Sequence, residues 1–147
     1  MRWWAVLVLL ALAGCSTHHD ATPTTTTRPE NVVAQGAAAF RSIAVSANGR
    51  TVTLTHDRAA DVAPLLAGRV FDHPDTLATY GLDRPPARLQ YTRPDSTVLV
   101  LLVGNANFDR HGVYVQRQGE PTVYLTPADQ LRPVLALVGI DIAPPSD

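Results

Sequence analysis

The chain has no lysine, a single cysteine, and no apolar run as long as a membrane span. Each absence removes a class of explanation. Its 12 basic residues are all arginine against 13 acidic ones, and no basic patch argues for nucleic acid or another acidic polymer as a partner. With Cys15 alone, no disulfide can close within the chain, so the folded part must hold together by its core. The longest apolar stretch, Trp3 to Ala13, has eleven residues, well short of the roughly 20 that a spanning helix needs.

That short stretch has the form of an export signal. Arg2 supplies a positive start, Trp3 to Ala13 an apolar segment of signal-peptide length, and Ala13-Gly14 small residues at a cleavage point, before an abrupt polar step at Ser16-Thr17-His18-His19-Asp20. Leu12-Ala13-Gly14-Cys15 resembles the bacterial lipobox. The resemblance implies a diacylglyceryl group (palmitate-type acyl chains) on the Cys15 thiol, cleavage before it, and a lipoprotein attached outside the cytoplasm, facing the periplasm or on the outer face of the cell membrane. Ser16, where an aspartate would retain the protein, permits export to an outer membrane. One acyl chain holds only marginally at about 0.8 kcal/mol per methylene, whereas two on one residue anchor stably. The membrane is thus the first expected partner.

Loss of residues 1–14 would leave 133 residues with 11 arginines against 13 acids, a formal charge of −2 and enough chain for one domain, expected over residues 31–139. Ser16 to Glu30 contain six Thr, two Pro and no large apolar side chain, which predicts a tether over residues 15–30 reaching on the order of 20 Å. Residues 140–147 read as a Pro-containing tail. Asn31 to Phe40 place Val32, Gly36 and Phe40 on one helical face.

From Arg41 the pattern is that of an α+β domain. Asn48-Gly49 suits the two positive φ angles of a type I′ turn, and counting outward puts Val45 opposite Val52 and Ile43 opposite Leu54, with Ser, Ala and Thr on the other face. Asp61, Pro64, Leu65 and Leu66 before Gly68 predict a short helix, and His73-Pro74 to Gly81 a helical turn. Four strands follow as an antiparallel meander: Ala87 to Arg93, Thr97 to Val103 with both faces covered, Val113 to Arg117, and Thr122 to Leu125. Thr126-Pro127-Ala128-Asp129 then resembles a capping box for a C-terminal helix, kinked at Pro133 and stopped by Gly139.

Tyr80-Gly81-Leu82-Asp83-Arg84-Pro85, Val103-Gly104, Gly112-Val113-Tyr114-Val115 and Pro121-Thr122-Val123-Tyr124-Leu125 stand in the order and spacing of the bacterial domain of unknown function 4340, which the chain resembles over roughly Ile43 to Val138. Members of that family often repeat the unit, some beside gliding-type ABC transport components. The resemblance implies an association with envelope transport machinery; the single copy seen here departs from the repeated pattern and weakens the transfer of a transporter role.

Polar chemistry gathers between the second and third meander strands, in the longest connection between strands. Asn105, Asn107, Phe108, Asp109, Arg110 and His111 crowd there between Gly104 and Gly112, a candidate binding loop. Asp109 and His111 could pair as an acid and base in an envelope hydrolase, but no serine, cysteine or second carboxylate is tied to them. A hydrogen-bonded hairpin loop explains the same residues. His18-His19-Asp20, His56-Asp57 and Asp72-His73 with Asp75 match no metal-ligand spacing, and capping or solvation accounts for them better. Tyr91, Tyr114 and Tyr124 fit either an aromatic strip for glycan or peptide, or cross-strand core packing. The expectation is a non-enzymatic envelope module with no catalytic residue, metal or cofactor, an envelope protein as partner, and an envelope hydrolase as the alternative. Addition of a partner's strand at a sheet edge is a third reading and requires an unpaired edge with few charges.

Mass spectrometry of the N-terminal peptide should find diacylglyceryl on Cys15 in the membrane fraction. Cys15→Ser should leave the signal uncut and the lipid absent.

Overall fold

Wherever apolar alternation in the sequence is strongest, the backbone follows it. The computed structural model describes residues 25–26, 30–33, 39–59, 62 and 64–142; Cys15, the apolar stretch before it, His18-His19-Asp20 and Asp61 lie outside them. The strands are β1 (Thr25–Thr26), β2 (Glu30–Val33), β3 (Ser42–Ala47), β4 (Arg50–Thr55), β5 (Leu65–Ala67), β6 (Arg69–Phe71), β7 (Ala87–Thr92), β8 (Val98–Ala106), β9 (Gly112–Arg117) and β10 (Val123–Pro127). Helix α1 (His56–Ala59) follows β4, a 3₁₀ turn spans Leu77–Tyr80, and α2 (Ala128–Ala136) follows β10.

Asn48 and Gly49 take φ of 51° and 73°, and the hairpin pairs Ile43 with Leu54 and Val45 with Val52, as the turn dictates. The meander β7-β8-β9-β10 is antiparallel throughout. The hairpin does not stand apart from it. Strand β3 pairs with β7, setting Ile43 beside Tyr91, Val45 beside Leu89 and Ala47 beside Ala87. The result is one eight-stranded sheet in the order β1-β6-β10-β9-β8-β7-β3-β4, with β2 and β5 forming a separate pair. A count of four strands plus a hairpin therefore falls short, because β6 extends the sheet beyond β10 and the two-residue β1 extends it beyond β6.

Three helical expectations give way to strand. Leu65–Ala67 is β5, not a short helix, and Arg69–Phe71, beyond the expected helix end at Gly68, is a further strand, β6. With Leu65 and Ala67 inward β5 forms a ladder on β2, and with Val70 inward β6 forms one on β10, where an isolated helical turn would bury less. Asn31 to Val33 extend against β5 instead of starting a helix, with Val32 and Val33 both buried. Thr126 does not cap α2. It belongs to β10, Pro127 takes the cap position without a side-chain bond, and the Thr126 hydroxyl is buried with no partner among the described residues. Within the segment expected as a tether, Thr25 and Thr26 pair with Phe71 and Val70.

One face of the sheet carries the core. Ile43, Leu89, Tyr91, Leu101, Val115 and Tyr124 lie under Leu131, Val134, Leu135 and Val138 of α2 and its C-terminal turn and under the β2–β5 pair. Each such fully buried side chain contributes roughly 1.5–3 kcal/mol by removal from water. Arg117 ties the smaller pair down: its Nε donates to the Val32 carbonyl at 3.0 Å and its Nη2 to the Asn31 carbonyl at 2.7 Å. Gly139, at φ 78°, ends the turn after α2. Beyond it Ile142 is buried, its carbonyl accepting from Arg132 Nε at 3.1 Å.

The opposite face is covered only in part. Val98 is exposed and Val100 half-buried, so β8 is central in the sheet without being covered on both sides. Cover comes from the connection between β6 and β7, through Tyr80 and Leu82, which pack with Val123, Leu102, Phe71 and Tyr114. That packing needs two glycines. A Cβ on Gly104 would fall 2.2 Å from the Tyr80 carbonyl oxygen, and Gly81, at φ 69°, lies against the Asn105 side chain. Gly104→Ala should lower the unfolding free energy by about 1–3 kcal/mol through this overlap, read as a lower denaturant midpoint at unchanged slope.

Candidate functional site

Strand β8 runs to Ala106, two residues past a bulge against β9. Asn105 consequently lies in the strand, and the loop proper is Asn107–His111, shorter than the connection between β6 and β7. Its polar groups are turned on its own backbone. The Asn107 N–H donates to the Gly112 carbonyl and the Gly112 N–H to Asn107 Oδ1, both at 2.9 Å. Arg110, in the left-handed region at φ 58°, donates its N–H to the Asn107 carbonyl at 3.0 Å. Asp109 Oδ1 accepts the main-chain N–H of His111 at 2.9 Å, and the His111 carbonyl accepts the N–H of Ala128 at 2.8 Å, fastening the loop to the start of α2. A loop closed this way is rigid, and Asn and Asp are the residues that close it.

Phe108 projects from the tip fully exposed, at 106%. The loop separates two clefts. One, of about 290 Å³, is lined by Arg69, Asn107, Asp109, His111, Leu125 and Pro127 among others. The second, of about 190 Å³, lies toward Asn105, Arg110, Asp141 and Ile142. The six candidate residues are thus gathered in one region but not into one pocket. Arg69 is the member that the sequence pattern did not supply. Its signal was a charged residue alternating with Val70 and Phe71 after Gly68, too short a run to be distinguished from a helix end.

The Asp109 carboxyl is held below its ordinary value. The hydrogen bond from the His111 N–H is the largest cause; desolvation opposes it, and the Asn107 side chain and the positive fields of His111 and Arg69 add to the lowering. One oxygen of the carboxylate is thus bonded to a main-chain donor, while no hydrogen bond joins the carboxylate to the His111 ring among the described residues.

Elsewhere the expected alternatives separate in space. Tyr91 and Tyr124 are buried on the core face, Tyr91 5.0 Å from the Phe40 ring and Tyr124 under the Arg117 guanidinium at 5.4 Å. Burial raises the Tyr91 phenol well above its usual range. Tyr114 faces the other way, 4.9 Å from the Tyr80 ring and 6.1 Å from Phe71. No strip joins the three tyrosines, and packing accounts for each. Among the described residues no cluster of three or more His, Cys, Asp or Glu could hold a metal ion, and no helix is long and apolar enough to cross a membrane.

An NMR titration should place Asp109 below the ordinary aspartate value of about 3.9. Because its folded value is depressed, its contribution to stability is present above that ordinary value and lost as pH falls through the folded one. Asp109→Asn keeps an acceptor for the His111 N–H, so the loop should persist while this acid dependence disappears.

No curated protein and no solved structure matches the chain. A family does: residues 41–136 match the family described as domain of unknown function 4340. The match starts one residue before β3 and ends on the last residue of α2. It therefore takes in the hairpin, the meander and the covering helix as one unit, and the chain belongs to that family.

Proposed function

We propose that this is a lipid-anchored protein of the cell envelope, held on the extracytoplasmic side by Cys15, whose domain acts without catalysis as a binding or accessory module alongside envelope transport machinery. The anchor rests on the Leu12-Ala13-Gly14-Cys15 pattern. The binding role rests on one observation, a fully exposed phenylalanine at the tip of a loop whose own polar groups hold it rigid.

Rigidity matters because a preordered contact loses little freedom on binding. A phenylalanine left in water forgoes about 2 kcal/mol of burial, and aromatic and arginine side chains are the commonest anchors of protein contacts. Phe108 stands beside Arg110, which gives the tip one apolar and one cationic group. The surface suits an envelope protein partner. Asp109 and His111 shape and flank that tip instead of supplying an acid and base.

The test is a photo-crosslinking phenylalanine analogue at position 108 of the full chain in the native envelope, followed by affinity measurement with the captured partner. Phe108→Ala should weaken that affinity by about 30-fold, the equivalent of about 2 kcal/mol, without lowering the melting temperature. Absence of any specific adduct, with turnover of a cell-wall substrate that is lost in Asp109→Ala and His111→Ala, would replace this reading with the hydrolase.

A further inference from the structure

The sheet ends in two unlike ways. At one end β1 is a two-residue strand; at the other, β4 offers six residues, Arg50-Thr51-Val52-Thr53-Leu54-Thr55, and no strand lies beyond it among the described residues. Edge strands are commonly blunted by charge, proline or a bulge. The stretch from Thr51 to Thr55 has none of these, and its pairing with β3 is regular from end to end.

The hairpin fixes which backbone groups are free. A two-residue turn makes Ala47 and Arg50 a mutually hydrogen-bonded pair, and alternation does the same for Val45 with Val52 and Ile43 with Leu54. The N–H and C=O groups of Arg50, Val52 and Leu54 are thus spent on β3. Both groups of Thr51 and Thr53 point outward, as does the N–H of Thr55, whose carbonyl accepts the first bond of α1.

These three residues are symmetric about Thr53. We propose that β4 pairs antiparallel with β4 of a second copy of this chain about a two-fold axis at Thr53, joining two sheets into one. Thr53 then exchanges both main-chain bonds with Thr53 of the other copy, and on either side of the axis the Thr55 N–H of one copy donates to the Thr51 carbonyl of the other, four bonds in all. A one-residue slip would break this match, because it would set spent groups against free ones.

The side chains agree with that register. Thr51, Thr53 and Thr55 fall together on the open face, and threonine pairs well across strands. On the core face Val52 meets Leu54 of the other copy, beside a cleft of about 140 Å³ lined by Leu54, Val62, Pro133, Val134 and Leu137 together with Arg58, so an apolar contact continues across the junction. Arg50 falls across from His56 of the other copy and next to its Asp57, in the first turn of α1. Asp57 makes no ion pair within its own chain among the described residues, so it can face Arg50 of the other copy, with Arg58 next to it in α1. Self-complementarity of this kind is what an isologous dimer requires.

The experiment uses the full chain purified in detergent micelles. Particle mass by light scattering should correspond to two chains and fall to one on dilution. Amide exchange should slow at least about tenfold with protein concentration at Thr53 and Thr55 while Val52 and Leu54 stay unchanged. Thr53→Pro removes the outward N–H at the axis, and Thr53→Lys sets like charges against each other there without altering the backbone. Both should give single chains with the melting temperature of a wild-type monomer. A wild-type chain that is single at every concentration, a pair that survives both substitutions, or edge amides protected only by a foreign polypeptide would each overturn the proposal. Should Thr53→Pro unfold the domain, Thr53→Lys and the exchange pattern of the wild-type chain decide the matter.

Discussion

Everything else in the domain depends on the ladder between β3 and β7. The hairpin alone would be two strands with one apolar face, and an isolated two-stranded hairpin is marginally stable at best. Pairing Ile43 with Tyr91, Val45 with Leu89 and Ala47 with Ala87 aligns the two apolar faces, and α2 can then cover both at once. The register admits little error, because a slip of one residue would send Ile43 and Val45 to the open face.

A second constraint is steric and draws together segments far apart in sequence. Tyr80-Gly81-Leu82, Gly104-Asn105 and Tyr114 meet on the half-covered face, where Gly104 admits the Tyr80 carbonyl and Gly81 admits the Asn105 side chain. The Tyr80 and Tyr114 rings close the contact at 4.9 Å. Burial raises the Tyr80 phenol, with the nearby Asp75 charge acting in the same direction. This contact holds the long connection between β6 and β7 against β8, close to where β8 bulges and the rigid loop begins.

That loop shows how polar residues in one place can be structural and still leave a surface. Asn107 and Asp109 satisfy main-chain donors that the tight turn would otherwise strand. The side chains left over are those at the tip and on the walls of the flanking clefts, Phe108, Arg110 and Arg69 among them. In the proposed contact, recognition would come from these groups, which the fold does not consume.

Local physics was legible in the sequence. Asn48-Gly49 set the hairpin register, the alternation of Ala87, Leu89 and Tyr91 set the β7 face, and Gly139 set the end of the helical segment, since each depends on residues within a few positions of one another. Arg69, the burial of Thr126 and the grip of Arg117 on β2 depended on neighbours tens of residues away. Segments of three residues, such as Leu65–Ala67 and Arg69–Phe71, carry too little periodicity to choose between helix and strand; the ladder against β10 chose for Arg69–Phe71. The order of the strands, and with it the place of β4 at the end of the sheet among the described residues, was decided only when distant strands competed for the same partners, because a backbone hydrogen bond in a sheet depends on which strand arrives beside it.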